Sequence, residues 1–101
     1  MIYTLTVPGT IEDTKELRVL EWHRAASTRV GPGDLLVELE THKVLIEVRA
    51  GQAGFLRQII CADGGWCAIG GPLALLSDTL EEALDGPPQD LPMLMADFEI
   101  C

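Results

Sequence analysis

Gly33-Asp34-Leu35-Leu36-Val37-Glu38-Leu39-Glu40-Thr41-His42-Lys43-Val44-Leu45-Ile46-Glu47-Val48-Arg49 is the stretch whose pattern decides the fold. Leu35, Val37 and Leu39 alternate with Leu36, Glu38 and Glu40, and Val44, Ile46 and Val48 alternate with Leu45, Glu47 and Arg49. A period of two puts one face of a strand inward and the other toward water. The segment therefore reads as two half-buried strands joined through Glu40-Thr41-His42-Lys43-Val44, with Lys43 at a hairpin tip. Working outward, Ile2 to Val7, Leu17 to Trp22, Phe55 to Ile60 and Leu73 to Leu76 are further strand candidates, separated by Gly, Pro and Ser stretches that mark turns. Glu16 to His23 has a composition compatible with helix, but Val19 and Trp22 between strand-like segments favour a strand.

Shifting the chain by 37 residues aligns Val19 with Leu56, Trp22 with Ile59, Val30 with Cys67, Gly33 with Gly70, Leu36 with Leu73 and Leu39 with Leu76. Val30-Gly-Pro-Gly-Asp-Leu-Leu and Cys67-Ala-Ile-Gly-Gly-Pro-Leu each set a glycine-bearing turn before an apolar strand. The expected fold class is all-β: a flattened barrel or sandwich of two short antiparallel sheets related by a pseudo-twofold, a barrel-sandwich hybrid.

A chain of 101 residues supports one small core, which excludes a multidomain enzyme and suits a carrier or binding module better than a deep catalytic cleft. The 48% hydrophobic content is too high for a disordered chain, and no run approaches the roughly 18 apolar residues of a membrane span. Seven Lys and Arg against sixteen Asp and Glu give a net charge of −9, which repels phosphate backbones and argues against nucleic acid as a ligand. The start, Met1-Ile2-Tyr3-Thr4, has neither a basic nor a long apolar targeting region, so the expected location is cytoplasmic. Cys61, Cys67 and Cys101 lack CxxC spacing and only two histidines accompany them, so reduced thiols and no metal site are expected.

Lys43 is one of two lysines. A solvated lysine amine has a pKa of ~10.4 and is a poor nucleophile at neutral pH, so an acylation there must be driven by an enzyme that holds the hairpin and desolvates the amine. The lysine is then a substrate, and no residue of the chain is expected to be catalytic.

The chain resembles the biotinyl/lipoyl attachment domain family, lipoyl branch, through Trp22, the run Gly33 to Val44, Ala53-Gly54-Phe55-Leu56, Gly64, and Ile69-Gly70-Gly71-Pro72-Leu73. The resemblance runs from about Tyr3 to Ser77. It implies that Lys43 takes lipoic acid in amide linkage, with Thr41, His42 and Val44 forming the hairpin tip around it. It also implies that the arm shuttles acyl groups between components of a 2-oxo acid dehydrogenase complex. The implied partners are a lipoate ligase or lipoyl transferase, a thiamine diphosphate-dependent decarboxylating component, an acyltransferase and a dihydrolipoyl dehydrogenase, with no membrane involved. His42 stands where lipoyl domains usually carry Asp, Ser27-Thr28 where Gly-Asp is common, and Gly65 where Asp is common. Biotin acceptors flank the lysine with methionine, which leaves biotin as the alternative cofactor, and an unmodified binding or assembly module as the alternative function.

Glu38, Glu40 and Glu47 flank the lysine on the expected solvent faces and are candidate recognition residues for a basic partner. Trp22 and Trp66 are expected to pack in the core and its turns, His23 to cap or solvate a strand end, and Asp34 to support its turn. Residues 1–78 are expected to form the lipoyl/biotinyl-like domain, free-standing. Residues 79–101 change character, with Leu80 to Leu84 as one helical turn, Gly86-Pro87-Pro88 as a break, and an apolar end that could pack on the domain or dock a partner.

Overall fold

Each apolar run has one face to bury, and in the computed structural model the runs do so as short strands packed in two layers. The structure describes residues 1–7, 16–41, 44–81 and 91–100. Within them lie β1 (Ile2–Thr6), β2 (Glu16–Trp22), β3 (Thr28–Val30), β4 (Leu35–Glu40), β5 (Leu45–Ala50), β6 (Gly54–Ile59), β7 (Trp66–Ala68), β8 (Pro72–Ser77) and β9 (Ala96–Ile100). One sheet has the order β1-β8-β6-β3 and the other β7-β2-β4-β5-β9. All neighbouring strands are antiparallel.

The 37-residue repeat is a pseudo-twofold between the sheets, matching β2 with β6, β4 with β8 and β3 with β7, while β5 corresponds to β1. Its aligned apolar pairs Val19 and Leu56, Leu36 and Leu73, and Leu39 and Leu76 are all fully buried in one core. The backbone hydrogen bonds repeat as well. His23 N–H donates to Leu36 O (2.8 Å) as Ile60 N–H does to Leu73 O (2.9 Å), and Gly33 N–H donates to Ala50 O (2.7 Å) as Gly70 N–H does to Val7 O (3.1 Å). Even the left-handed backbone positions recur, Gly33 (φ 89°) with Gly70 (φ 82°) and Ser27 (φ 70°) with Gly64 (φ 82°). Ser27 holds this conformation with a Cβ, which costs about 1 kcal/mol relative to glycine.

Strict alternation fails at the start of β4. A register shift between Leu35 and Val37 turns Leu36 and Val37 both into the core and leaves Leu35 half-buried. Cys61 and Cys67 are joined by a disulfide (Cα–Cα 6.7 Å), which corrects the expectation of reduced thiols: the turn between Ile60 and β7 brings the two side chains together, a proximity that spacing alone did not disclose.

The segment 91–100 runs along the open side of the sandwich. Thr4 N–H donates to Pro92 O and Leu94 N–H to Thr4 O (both 2.9 Å), so the segment first touches β1, the edge of one sheet. Gly51 N–H then donates to Met95 O (2.7 Å), and β9 pairs with β5 in the other sheet. Leu94 enters the core. Gly51 permits the crossing, because a Cβ there would lie 2.9 Å from the Met95 carbonyl carbon and oxygen.

Candidate functional site

The β4–β5 ribbon is built from residues whose inward members Leu39, Ile46 and Val48 are buried, which fixes its register and so its end. Its last cross-strand pair is Glu40 with Leu45. Beyond that pair Thr41 N–H donates to Val44 O (2.9 Å), and Val44 N–H donates to Thr41 Oγ1 (3.1 Å). Thr41 and Val44 are both half-buried, and Val44 packs against the core. His42 and Lys43, which follow Thr41 in the sequence, lie outside the described residues.

Glu38, Glu40 and Glu47 lie on the outer face of the sheet, each with a partner. His23 Nε2 is 2.5 Å from Glu38 Oε1, Arg18 Nη1 is 3.4 Å from Glu40 Oε1, and Arg49 Nη2 is 3.5 Å from Glu47 Oε1. The three side chains are between 27% and 34% exposed, so they lie against the sheet beside their partners. Glu40 borders the ribbon's end. Glu38 and Glu47 face each other one alternation further back.

Cross-strand register reveals more than the linear pattern did. Glu21, Glu38, Glu47 and Glu99 align as one row across β2, β4, β5 and β9. The neighbouring row, at the Thr41 end, is Trp66, Arg18, Glu40 and Leu45 across β7, β2, β4 and β5. Sequence reasoning missed Arg18, Glu21, Glu99 and Leu45. The inward Leu17 and Val19 of β2 imply that Arg18 faces out, but only pairing tells which residue it meets.

Trp22 behaves as expected, packing on the core with its indole N–H donating to Cys61 O (2.7 Å). Trp66 does not. It is 63% exposed on the outer side of β7, because its neighbour Cys67 takes the inward position and successive strand residues point to opposite faces. His23, expected only to cap or solvate a strand end, meets Glu38. Asp34 supports its turn by accepting Gly31 N–H (2.8 Å). Among the described residues, no three His, Cys, Asp or Glu side chains converge into a set that could hold a metal ion.

The fold is thus two interlocked half-sandwiches with the short β4–β5 ribbon at one end. A family model described as "Biotin-requiring enzyme", Biotin_lipoyl, matches residues 3–76, and the chain belongs to this biotin/lipoyl attachment family. It is 32% identical over 72 residues to the dihydrolipoyllysine-residue succinyltransferase component of the 2-oxoglutarate dehydrogenase complex of Staphylococcus saprophyticus, a match covering 71% of this chain and 17% of that protein. The same component of Cupriavidus necator is 36% identical, over 62% of this chain and 15% of the relative. This chain therefore spans about a sixth of the curated relatives it matches. The solution structure of the lipoyl domain of the 2-oxoglutarate dehydrogenase complex from Azotobacter vinelandii superposes with a TM-score of 0.65 at 28% identity, covering 74% of this chain and 95% of that one. The chain is thus a carrier domain homologous to the lipoyl domains of 2-oxo acid dehydrogenase complexes.

Proposed function

We propose that the domain carries a lipoyl group in amide linkage on Lys43 and acts as the swinging arm of a 2-oxo acid dehydrogenase-type complex. The observation that supports this most is how the β4–β5 ribbon ends: Thr41 and Val44 hold each other by two hydrogen bonds, and the sequence between them is His42-Lys43. A ribbon closed in this way, with Val44 packed on the core, suits an arm that swings from a fixed base. When attached, the dithiolane would supply a disulfide that is reduced to a thioester and a thiol as it takes up an acyl group and that, once the acyl group has been passed on, is re-formed by two-electron oxidation of the dithiol at the flavin of the dihydrolipoyl dehydrogenase.

The chain's own residues bind and present. Thr41 ties the ribbon end, Val44 roots it, and Glu38, Glu40 and Glu47 give the surface beside it an acidic character that a basic groove can read. Conversion of the lysine amine to an amide removes one positive charge, taking the net charge from −9 to −10. Recognition by a basic partner should therefore weaken with salt. Tethering supplies a high effective concentration of cargo at each partner's site. Those partners are a lipoate ligase or lipoyl transferase, a thiamine diphosphate-dependent decarboxylating component, an acyltransferase and a dihydrolipoyl dehydrogenase, met in the cytoplasm. Residues 1–78 act as the carrier unit and 79–101 as its tail.

Intact-mass spectrometry of the protein made in a lipoate-replete host tests the reading. The expected result is a lipoyl adduct on the wild type that is lost in Lys43→Arg. A biotin adduct, or an unmodified mass, would overturn it in favour of a biotin carrier or an unmodified assembly module.

A further inference from the structure

The largest side chain on the outer face of the β7-β2-β4-β5-β9 sheet is exposed in the row that borders the ribbon end. Trp66 is 63% and Leu45 41% exposed, and between them stand Arg18 and Glu40, paired at 3.4 Å. Adjacent strands lie about 4.8 Å apart, so the row spans roughly 15 Å. A partner covering about 800 Å² of this domain has a footprint roughly 30 Å across, wide enough to cover the row together with the ribbon end.

We propose that this row is the grip of the enzyme that attaches lipoate to Lys43, with Trp66 as the anchor entering an apolar slot in an otherwise cationic groove. The proposal rests on the lipoyl reading of Lys43 and deepens it by naming what that enzyme holds. An indole 63% exposed on a strand face carries a large apolar area that the described residues leave open, and interfacial Trp is the residue type that most often dominates binding when buried by a partner. The Arg18–Glu40 pair is itself 47% and 34% exposed and contributes little alone, so it acts as a polar rim. The groove's charge follows from the surface it must meet. Beside the row stand Glu21, Glu38, Glu47 and Glu99, with Asp97 beyond them, against Arg18 and Arg49. Complementarity calls for a basic partner. The Cys61–Cys67 disulfide, one residue from Trp66, holds β7 where the indole can be presented.

The experiment measures lipoylation of the full chain by a purified lipoate ligase with ATP and lipoate, following the adduct by intact mass across domain concentration and ionic strength. Trp66→Ala should raise the KM for the domain roughly tenfold or more, with kcat little changed. Trp66→Phe should recover most of that loss, and Trp66→Lys should lose more than Ala because it repels the groove. The salt dependence of KM should be the same in Trp66→Ala as in the wild type, and shallower in Glu47→Gln. Thermal midpoints should stay put, because Trp66 is exposed. An unchanged KM in Trp66→Ala, with the wild type modified normally, would overturn the anchor alone. Loss of a wild-type dimer in Trp66→Ala with KM unchanged would also overturn it and assign the row to a second copy. Absence of any adduct on the wild type would overturn the anchor together with the reading beneath it.

Discussion

The two poles of the sandwich are built alike and connected differently. At one, Thr41 N–H donates to Val44 O at the end of β4 and β5; at the other, Asp78 N–H donates to Met1 O (3.1 Å) at the end of β8 and β1. These bonds correspond under the pseudo-twofold, which relates β4 to β8 and β5 to β1. At the first pole the sequence runs straight on from Thr41 through His42-Lys43 to Val44. At the second the strand ends belong to distant parts of the chain, and the Met1 ammonium group is paired with the Asp78 carboxylate at 3.2 Å. The fold offers the same platform twice, and in the function proposed above the carrier is made by what the sequence installs on one of them.

The largest effect that can break this equivalence lies in the core. Leu36 and Leu73 occupy matched, fully buried positions, so Leu36→Ala and Leu73→Ala should each cost about 2–5 kcal/mol of unfolding free energy, and by similar amounts. Chemical denaturation of both variants checks this, and a difference of several-fold would show that the halves do not share one core.

An intermediate effect sharpens the asymmetry. The Cys61–Cys67 disulfide has no counterpart at the matched positions Arg24 and Val30. Closing so short a loop is worth about 2 kcal/mol in the chain-entropy account, so reduction should lower stability by that order, with a urea midpoint measured with and without reductant as the readout. The smallest effect concerns the left-handed pair. Ser27→Gly should gain up to about 1 kcal/mol, and Gly64→Ala should lose about as much, because only glycine adopts that conformation freely. Thermal melts of the two variants moving in the same direction would contradict the match.

Much of this was legible in the sequence wherever burial imposes a period. The β4 and β5 alternation marked the ribbon, and the 37-residue spacing of Leu36 with Leu73 and Leu39 with Leu76 marked the twofold, because both patterns record which residues face one core. Three-residue strands such as β3 and β7 carry too few residues for a period to register. The shift at Leu36 was hidden because three apolar residues in a row look alike under either register. Trp66 was misread as a packing residue since an aromatic side chain in a two-sided strand gives no sign of which side it takes. The partners of Glu38 and Glu40 were invisible for a different reason: His23 and Arg18 are brought to them by register across strands, as Glu99 is brought beside Glu47 from 52 residues further on, whereas Arg49, the partner of Glu47, stands two residues along the same strand. Local pattern defines elements, while pairing defines the surface that a partner meets.

Tryptic mapping of protein from a lipoate-replete host tests the central claim most directly, because acylation of a lysine blocks cleavage after it. The account predicts a single uncut peptide from Val30 to Arg49 bearing a lipoyl mass on Lys43. Recovery of unmodified Val30–Lys43 and Val44–Arg49 as separate peptides, or of the adduct on Lys15 instead, would contradict it.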